Sequence, residues 1–129
     1  MDAVAAERSE WTLAAGNSRE PAIDLVHLAR QTAGDAALEA ELLGLFDRQA
    51  ALLVAQLMAA PSRETSGDIA HKLRGSALAI GAGRVARGAR AFEATFDSDP
   101  AGALDRPLAL GELAAAVAEA RAAIARLLG

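Results

Sequence analysis

The chain has 129 residues, the usual size of one domain, with 13 basic and 17 acidic side chains and a net charge of -4. Because it is acidic and has no patch that combines basic and aromatic residues, it lacks the signature of a nucleic-acid-binding protein. It has no cysteine, which excludes disulfides, a thiol nucleophile and a thiolate metal site. Alanine and leucine dominate and β-branched residues do not alternate, so the composition predicts an all-α fold.

Residues 1–20 are expected to form an N-terminal extension of a single helical domain in residues 21–129. Turn-forming residues from Gly16 to Pro21 separate the two. The N-terminus has acidic residues where a secretory signal carries lysines, and no stretch approaches the roughly 18 apolar residues of a membrane span. The expectation is therefore a cytoplasmic protein outside the membrane.

The first two helical patterns lie between residue 22 and Pro61. Residues 22–32 form a short pattern of weak amphipathicity. The second pattern is long, with Asp35 as its predicted N-cap and Pro61 as its end. Apolar residues recur in it at Leu38, Leu42, Leu45, Phe46, Leu53 and Leu57.

Three more helices are predicted in the second half of the chain. In the third, Thr65 and Asp68 have capping-box spacing ahead of an apolar series that ends at Gly81. The fourth covers residues 84–96, and the fifth begins near Pro107. Four substantial helices joined by short breaks predict an antiparallel four-helix bundle, to which a short N-terminal helix is added.

The third helix is predicted to bury one face and to expose a histidine on the other. Its buried stripe comprises Ile69, Leu73, Ala77 and Ile80. At 100° per residue, His71 lies nearly opposite that stripe and is expected to be solvated. The residues expected to share its exposed face are Arg74, Gly75, Leu78 and Ala82.

A solvated histidine in this setting is suited to phosphoryl chemistry. A neutral imidazole has a free nitrogen that can attack phosphorus without a dedicated general base. Arg74, one turn onward, and Lys72, which is less well placed, can stabilise the phosphoryl charge. Gly75 removes a side chain where a partner's active site must close over His71, which would explain a helix penalty of roughly 1 kcal/mol.

The segment HKLRGSALAIGAGRVARGARAFE, residues 71–93, resembles the signature of histidine-containing phosphotransfer (HPt) domains, the modules of multistep phosphorelays. His71 falls on the phospho-accepting histidine. Positions of the signature are also matched by Leu73, Arg74, Gly75, Ser76, Gly81 and Ala82, and the register continues through Val85, Ala89, Phe92 and Glu93. Arg74 replaces the usual lysine and Phe92 the usual leucine. The resemblance covers residues 22–128.

This resemblance implies a carrier that accepts a phosphoryl group on His71 from a receiver-domain aspartate and passes it to another receiver. Such a carrier is not an enzyme, since it has no autokinase activity or ATP site. Mg²⁺ and most catalytic groups belong to the receiver, so no cofactor or metal is expected in this chain. The expected partners are response-regulator receivers, including those of hybrid sensor kinases, with neither nucleic acid nor membrane. A monomer is expected.

A docking surface for the receiver is expected around His71. Its expected residues are Gly75, Leu78, Ala82, Arg84 and Arg87. Leu78 and Ala82 offer apolar contact there. The arginines, continued by Arg90 at the same interval, form a basic edge that can meet the acidic surface of a receiver. An ordinary solvated helix face explains these arginines equally well.

Other residues are given structural interpretations. Leu73 belongs to the buried stripe, and Gly81 ends the third helix. Ser76 is expected to hydrogen-bond locally or to orient His71, since no Asp-His-Ser arrangement is visible. His27 is interpreted as an ordinary histidine, because no glycine or suitably spaced basic residue follows it and it has no metal-binding spacing to His71.

Two alternative functions remain open on the sequence. A sensor-kinase dimerisation module is disfavoured, because such modules carry an acid directly after the histidine, where this chain has Lys72. A helical adaptor that binds receivers without phosphotransfer would use the same exposed face, so the sequence does not exclude it.

Overall fold

The computed structural model describes residues 20–59, 61–97 and 100–129, and within them it contains five helices and no strand. The helices are α1 (Leu25–Thr32), α2 (Ala36–Met58), α3 (Arg63–Ile80), α4 (Gly83–Ala94) and α5 (Pro100–Leu128). The all-α fold predicted from composition is confirmed. The predicted extension, residues 1–20, lies outside the described residues except for Glu20.

Each of the four longer helices, α2 to α5, packs against the next one along the chain, and α5 also packs against α2. α3 packs on α4, α4 on α5, and α2 contacts both α3 and α5, while the short α1 lies against α2 and α3. α3 and α4 are antiparallel: the Arg63 guanidinium at the start of α3 donates to the Phe96 carbonyl after α4, and Gly81 and Ala82 connect their other ends. His71 therefore faces the neighbourhood of the C-terminal half of α4.

All five helices contribute to one hydrophobic core. The largest fully buried side chains are Leu28, Leu57, Leu73, Val85, Leu113 and Ile124, each contributing about 1.5–3 kcal/mol by burial. The predicted stripe of α3 is buried throughout. In α2, by contrast, Leu38 and Leu45 are exposed, and Leu43 and Ala50 take their place in the core.

The starts of α1, α2 and α3 follow side-chain capping, with one shift from the prediction. The Asp24 carboxylate accepts from the backbone N–H groups of Val26 and His27, and Asp35 caps α2 as predicted. The capping box predicted at Thr65 was wrong by one turn. Ser62 is the N-cap of α3, and its hydroxyl accepts from the Thr65 backbone N–H at 3.2 Å.

α5 begins seven residues earlier than predicted. Pro100 occupies its first position, where a missing N–H costs nothing, and Pro107 lies inside the helix rather than at its start. Pro107 cannot donate to the carbonyl of Ala103, but Ala103 is exposed, so water can replace the lost bond. No helix within the described ranges is long and apolar enough to cross a membrane.

Gly81 fixes the end of α3 against the start of α1. Its φ of 84° is left-handed, a conformation that glycine adopts without steric penalty. Its carbonyl accepts a hydrogen bond from the Asp24 backbone N–H at 2.8 Å, and an added Cβ would lie 2.8 Å from the Asp24 carbonyl oxygen. Gly81 is therefore a structural residue, as the sequence predicted.

Candidate functional site

His71 lies in the middle of α3, on the side away from the core. Its side chain is 77% exposed, as the helical spacing predicted, whereas Leu73 is fully buried. Apolar residues at intervals of three and four hold one side of α3 in the core and leave the opposite side in solvent. The imidazole is thus open to a macromolecular partner.

Two glycines, Gly67 and Gly75, flank His71 one helical turn to either side. A Cβ added to either glycine would meet nothing within 4 Å beyond the local helix backbone. Packing within the described chain does not require glycine at these positions. Each glycine nevertheless costs about 1 kcal/mol of helix stability relative to alanine. Gly67, His71 and Gly75 form what we call the bare ridge. Sequence reasoning found Gly75 and missed Gly67, although its spacing of four is visible.

Glu93 of α4 approaches His71 from the neighbouring helix. Its Oε2 atom lies 3.9 Å from His71 Nδ1, and its side chain is 28% exposed. The separation is within ion-pair range but too long for a hydrogen bond. Nδ1 is thus the ring nitrogen within ion-pair range of the carboxylate, and Nε2 is the other ring nitrogen. The sequence analysis identified Glu93 only as a further match to the HPt signature. It could not place Glu93 beside His71, because that proximity depends on how α3 and α4 pack.

The two basic residues predicted beside His71 both lie on α3. Lys72 is exposed and Arg74 is half-buried. Arg74 follows His71 by three positions, so their side chains are neighbours on the helix surface. Lys72, one position onward, is displaced by about 100° around the helix axis. Arg74 is therefore the better placed of the two to reach a group bound at His71.

Arg84 and Arg87, predicted as part of a basic docking edge, are engaged elsewhere. Arg84 is 19% exposed and forms an ion pair with Glu119 of α5 at 2.6 Å. It lies on the α5 side of α4, so its assignment to the His71 face was wrong. Arg87 donates to the Glu20 carboxylate, and this hydrogen bond raises the pKa of the guanidinium, with partial burial opposing the shift.

The two apolar residues predicted for docking differ in exposure. Leu78 is 53% exposed, as that prediction requires, whereas Ala82 is fully buried. Ala82 cannot offer a docking contact, and its prediction was wrong. The regular helix ends at Ile80, and the left-handed Gly81 changes the direction of the chain, so the 100° spacing does not extend to Ala82.

Ser76 connects α3 to α2. Its hydroxyl donates to Gln49 Oε1 at 3.4 Å, a long hydrogen bond between the two helices, rather than to His71. The other histidine, His27, is half-buried on the short helix α1. In the described part of the chain, no three His, Asp or Glu side chains are grouped so as to hold a metal ion.

Comparison with known proteins identifies no relative: no family model, curated protein or solved structure matches the chain. A functional proposal therefore depends on the geometry around His71 and on the sequence resemblance.

Proposed function

We propose that this protein is a histidine phosphotransfer carrier, built as an antiparallel four-helix bundle of the HPt type. His71 accepts a phosphoryl group from the aspartate of one receiver domain and passes it to the aspartate of another. The observation that carries the proposal is the exposed imidazole of His71 between two glycines whose side-chain positions are open. A histidine with no side chain four positions before or after it on the helix suits the close approach of a partner's active site.

The transfer is an in-line displacement at phosphorus. The lone pair of His71 Nε2 forms the N–P bond while the bond from phosphorus to the aspartyl oxygen breaks. That oxygen leaves with its electron pair as a carboxylate. In onward transfer a carboxylate oxygen of the second receiver attacks phosphorus, and Nε2 regains its lone pair. No oxidant or reductant is needed.

Charged residues of this chain suit the phosphorylated state. An Nε2-phosphorylated imidazole with a proton on Nδ1 is cationic, and the Glu93 carboxylate 3.9 Å away stabilises that cation. Arg74 and Lys72 can neutralise the phosphoryl oxygens. Positioning and charge neutralisation supply most of the rate enhancement, and the Mg²⁺ belongs to the receiver. The chain is then a carrier rather than an enzyme.

The proposal also defines the partners and their setting. A carrier that alternates between two receivers, including that of a hybrid sensor kinase, works best as a diffusible monomer in the cytoplasm. The net charge of -4 gives no reason to add nucleic acid to these partners.

The test is transfer of ³²P from receiver domains, phosphorylated with labelled acetyl phosphate in the presence of Mg²⁺, to the purified protein. We expect the wild type to be labelled and His71→Ala to remain unlabelled, because the variant lacks the attacking nitrogen. His27→Gln is the matched control, since it removes the chain's other imidazole, and it should be labelled like the wild type.

The chemistry of the label gives a second check. Phosphohistidine is acid-labile and alkali-stable, so the label should be lost in acid and kept in alkali. Equal labelling of His71→Ala, or no labelling of the wild type by a broad panel of receivers, would overturn the proposal. Binding of receivers without labelling would indicate a helical adaptor instead.

A further inference from the structure

The surface beside His71 is acidic on the side of the α3 N-terminus. A cavity of about 530 Å³ opens there between the first half of α3 and the end of α4. Its charged lining consists of Glu64, Asp68, Glu93, Asp97 and one basic residue, Arg63. Four carboxylates against one guanidinium give this side a negative potential.

The charge reverses on the side of the α3 C-terminus. Arg74 lies one turn beyond His71, and Arg90 is exposed on α4. Arg90 precedes Glu93 by three positions, so the two share an edge of α4. Because α3 and α4 are antiparallel and Glu93 lies beside His71, Arg90 lies towards Arg74.

Arg74 and Arg90 differ from Arg84 and Arg87 in their ion pairs. Within the residues that the structure describes, Arg74 and Arg90 form no ion pair, whereas Arg84 pairs with Glu119 and Arg87 with Glu20. Charges without an internal partner act most strongly on an incoming surface.

We propose that the bare ridge and its two charged flanks hold a receiver in one orientation. A basic patch of the partner lies over Glu64, Asp68 and Asp97, and its acidic phosphorylation pocket lies towards Arg74 and Arg90. From Glu64 to Arg74 the helix rises about 15 Å, so the partner needs patches of opposite charge at about that separation. This inference rests on the proposed phosphotransfer function.

A polarised face gives specificity that a uniform charge does not. Rotating the partner by half a turn would place like charges together on both flanks, which disfavours that complex. Only one orientation brings the partner's acidic pocket over His71 with both flanks complementary. The partner is therefore a receiver with a basic patch beside its acidic pocket, rather than any acidic protein.

The experiment measures the dissociation constant of a receiver domain that labels the wild type, with Mg²⁺, at 50 and 300 mM NaCl. The variants are Asp68→Lys on the acidic flank and Arg90→Glu on the basic flank. We expect each to weaken binding by about 3- to 10-fold at the lower salt concentration, and by less at the higher. Glu112→Lys, an exposed charge reversal on α5, is the control and should leave binding unchanged.

The two reversals separate orientation from overall charge, because they change the net charge in opposite directions. If net charge alone controlled binding, one variant would bind more tightly and the other more weakly. That result, or unchanged binding in both variants, would overturn the orientation while the labelling of His71 stands. If no receiver labels the wild type, the proposed function and the orientation both fail.

Discussion

Glycines occupy packed and open positions in this helical fold, and two of the open positions lie one turn to either side of His71. At Gly81 and Gly88 an added side chain would meet other parts of the structure: a Cβ would lie 2.8 Å from the Asp24 carbonyl oxygen in the first case and 3.3 Å from Leu113 Cα, a tight contact, in the second. At Gly67 and Gly75 an added Cβ would meet nothing within 4 Å. Internal packing accounts for the first pair but not for the second, and under the proposed function Gly67 and Gly75 give a partner access to His71.

The largest expected effect is at a packed glycine. Gly81→Ala would place a side chain in a left-handed conformation and against the Asp24 backbone. We expect a loss of about 2–4 kcal/mol in the free energy of unfolding, from conformational strain and overpacking together. Urea denaturation followed by circular dichroism measures it. A loss below about 1 kcal/mol would contradict the assignment of Gly81 as structurally required.

Gly75→Ala should have the opposite effect on stability. Alanine is the better helix former and its Cβ enters open space, so the free energy of unfolding should rise by about 1 kcal/mol. Phosphotransfer to His71 should nevertheless fall by about tenfold or more, because the new methyl group displaces the approaching active site from its productive position. Denaturation and ³²P transfer, measured on the same preparation, test both halves.

Gly111 on α5 supplies the matched control for that variant. Its side-chain position is also open, but it belongs to a helix that carries no part of the site. Gly111→Ala should gain similar stability and transfer phosphate like the wild type. Equal transfer in both alanine variants would contradict a role of Gly75 in access to His71. A loss of stability in Gly75→Ala would contradict the open side-chain position at Gly75.

The features predicted correctly from the sequence depend on local spacing. The period of α3 is sufficient to expose His71 and to bury Leu73, because both follow from residues within a few turns of one helix. The prediction that Ala82 is exposed was wrong because the same period was continued through Gly81, whose left-handed backbone ends the helix. A helical face can be predicted only as far as the helix extends.

The features missed from the sequence depend on how the helices pack. Glu93 is 22 positions from His71 and reaches it only through the antiparallel arrangement of α3 and α4. Arg84 was placed on the wrong side of α4 because its partner, Glu119, lies on α5. Sequence spacing identifies charged residues that share one edge of a helix. Which other helix lies beside that edge depends on how the whole fold packs.

The smallest effect is expected at Gly67, the other open glycine beside His71. Like Gly75, it stands four positions from His71 and has an open side-chain position, but it is half-buried and borders the acidic cavity. Gly67→Ala should raise stability by up to about 1 kcal/mol and lower transfer by about two- to threefold, less than Gly75→Ala. The smaller loss follows because a methyl group beside an existing cavity restricts a partner less than one at the exposed position of Gly75. Unchanged transfer in Gly67→Ala, measured beside the tenfold loss in Gly75→Ala, would show that the partner approaches His71 from the α3 C-terminal side alone.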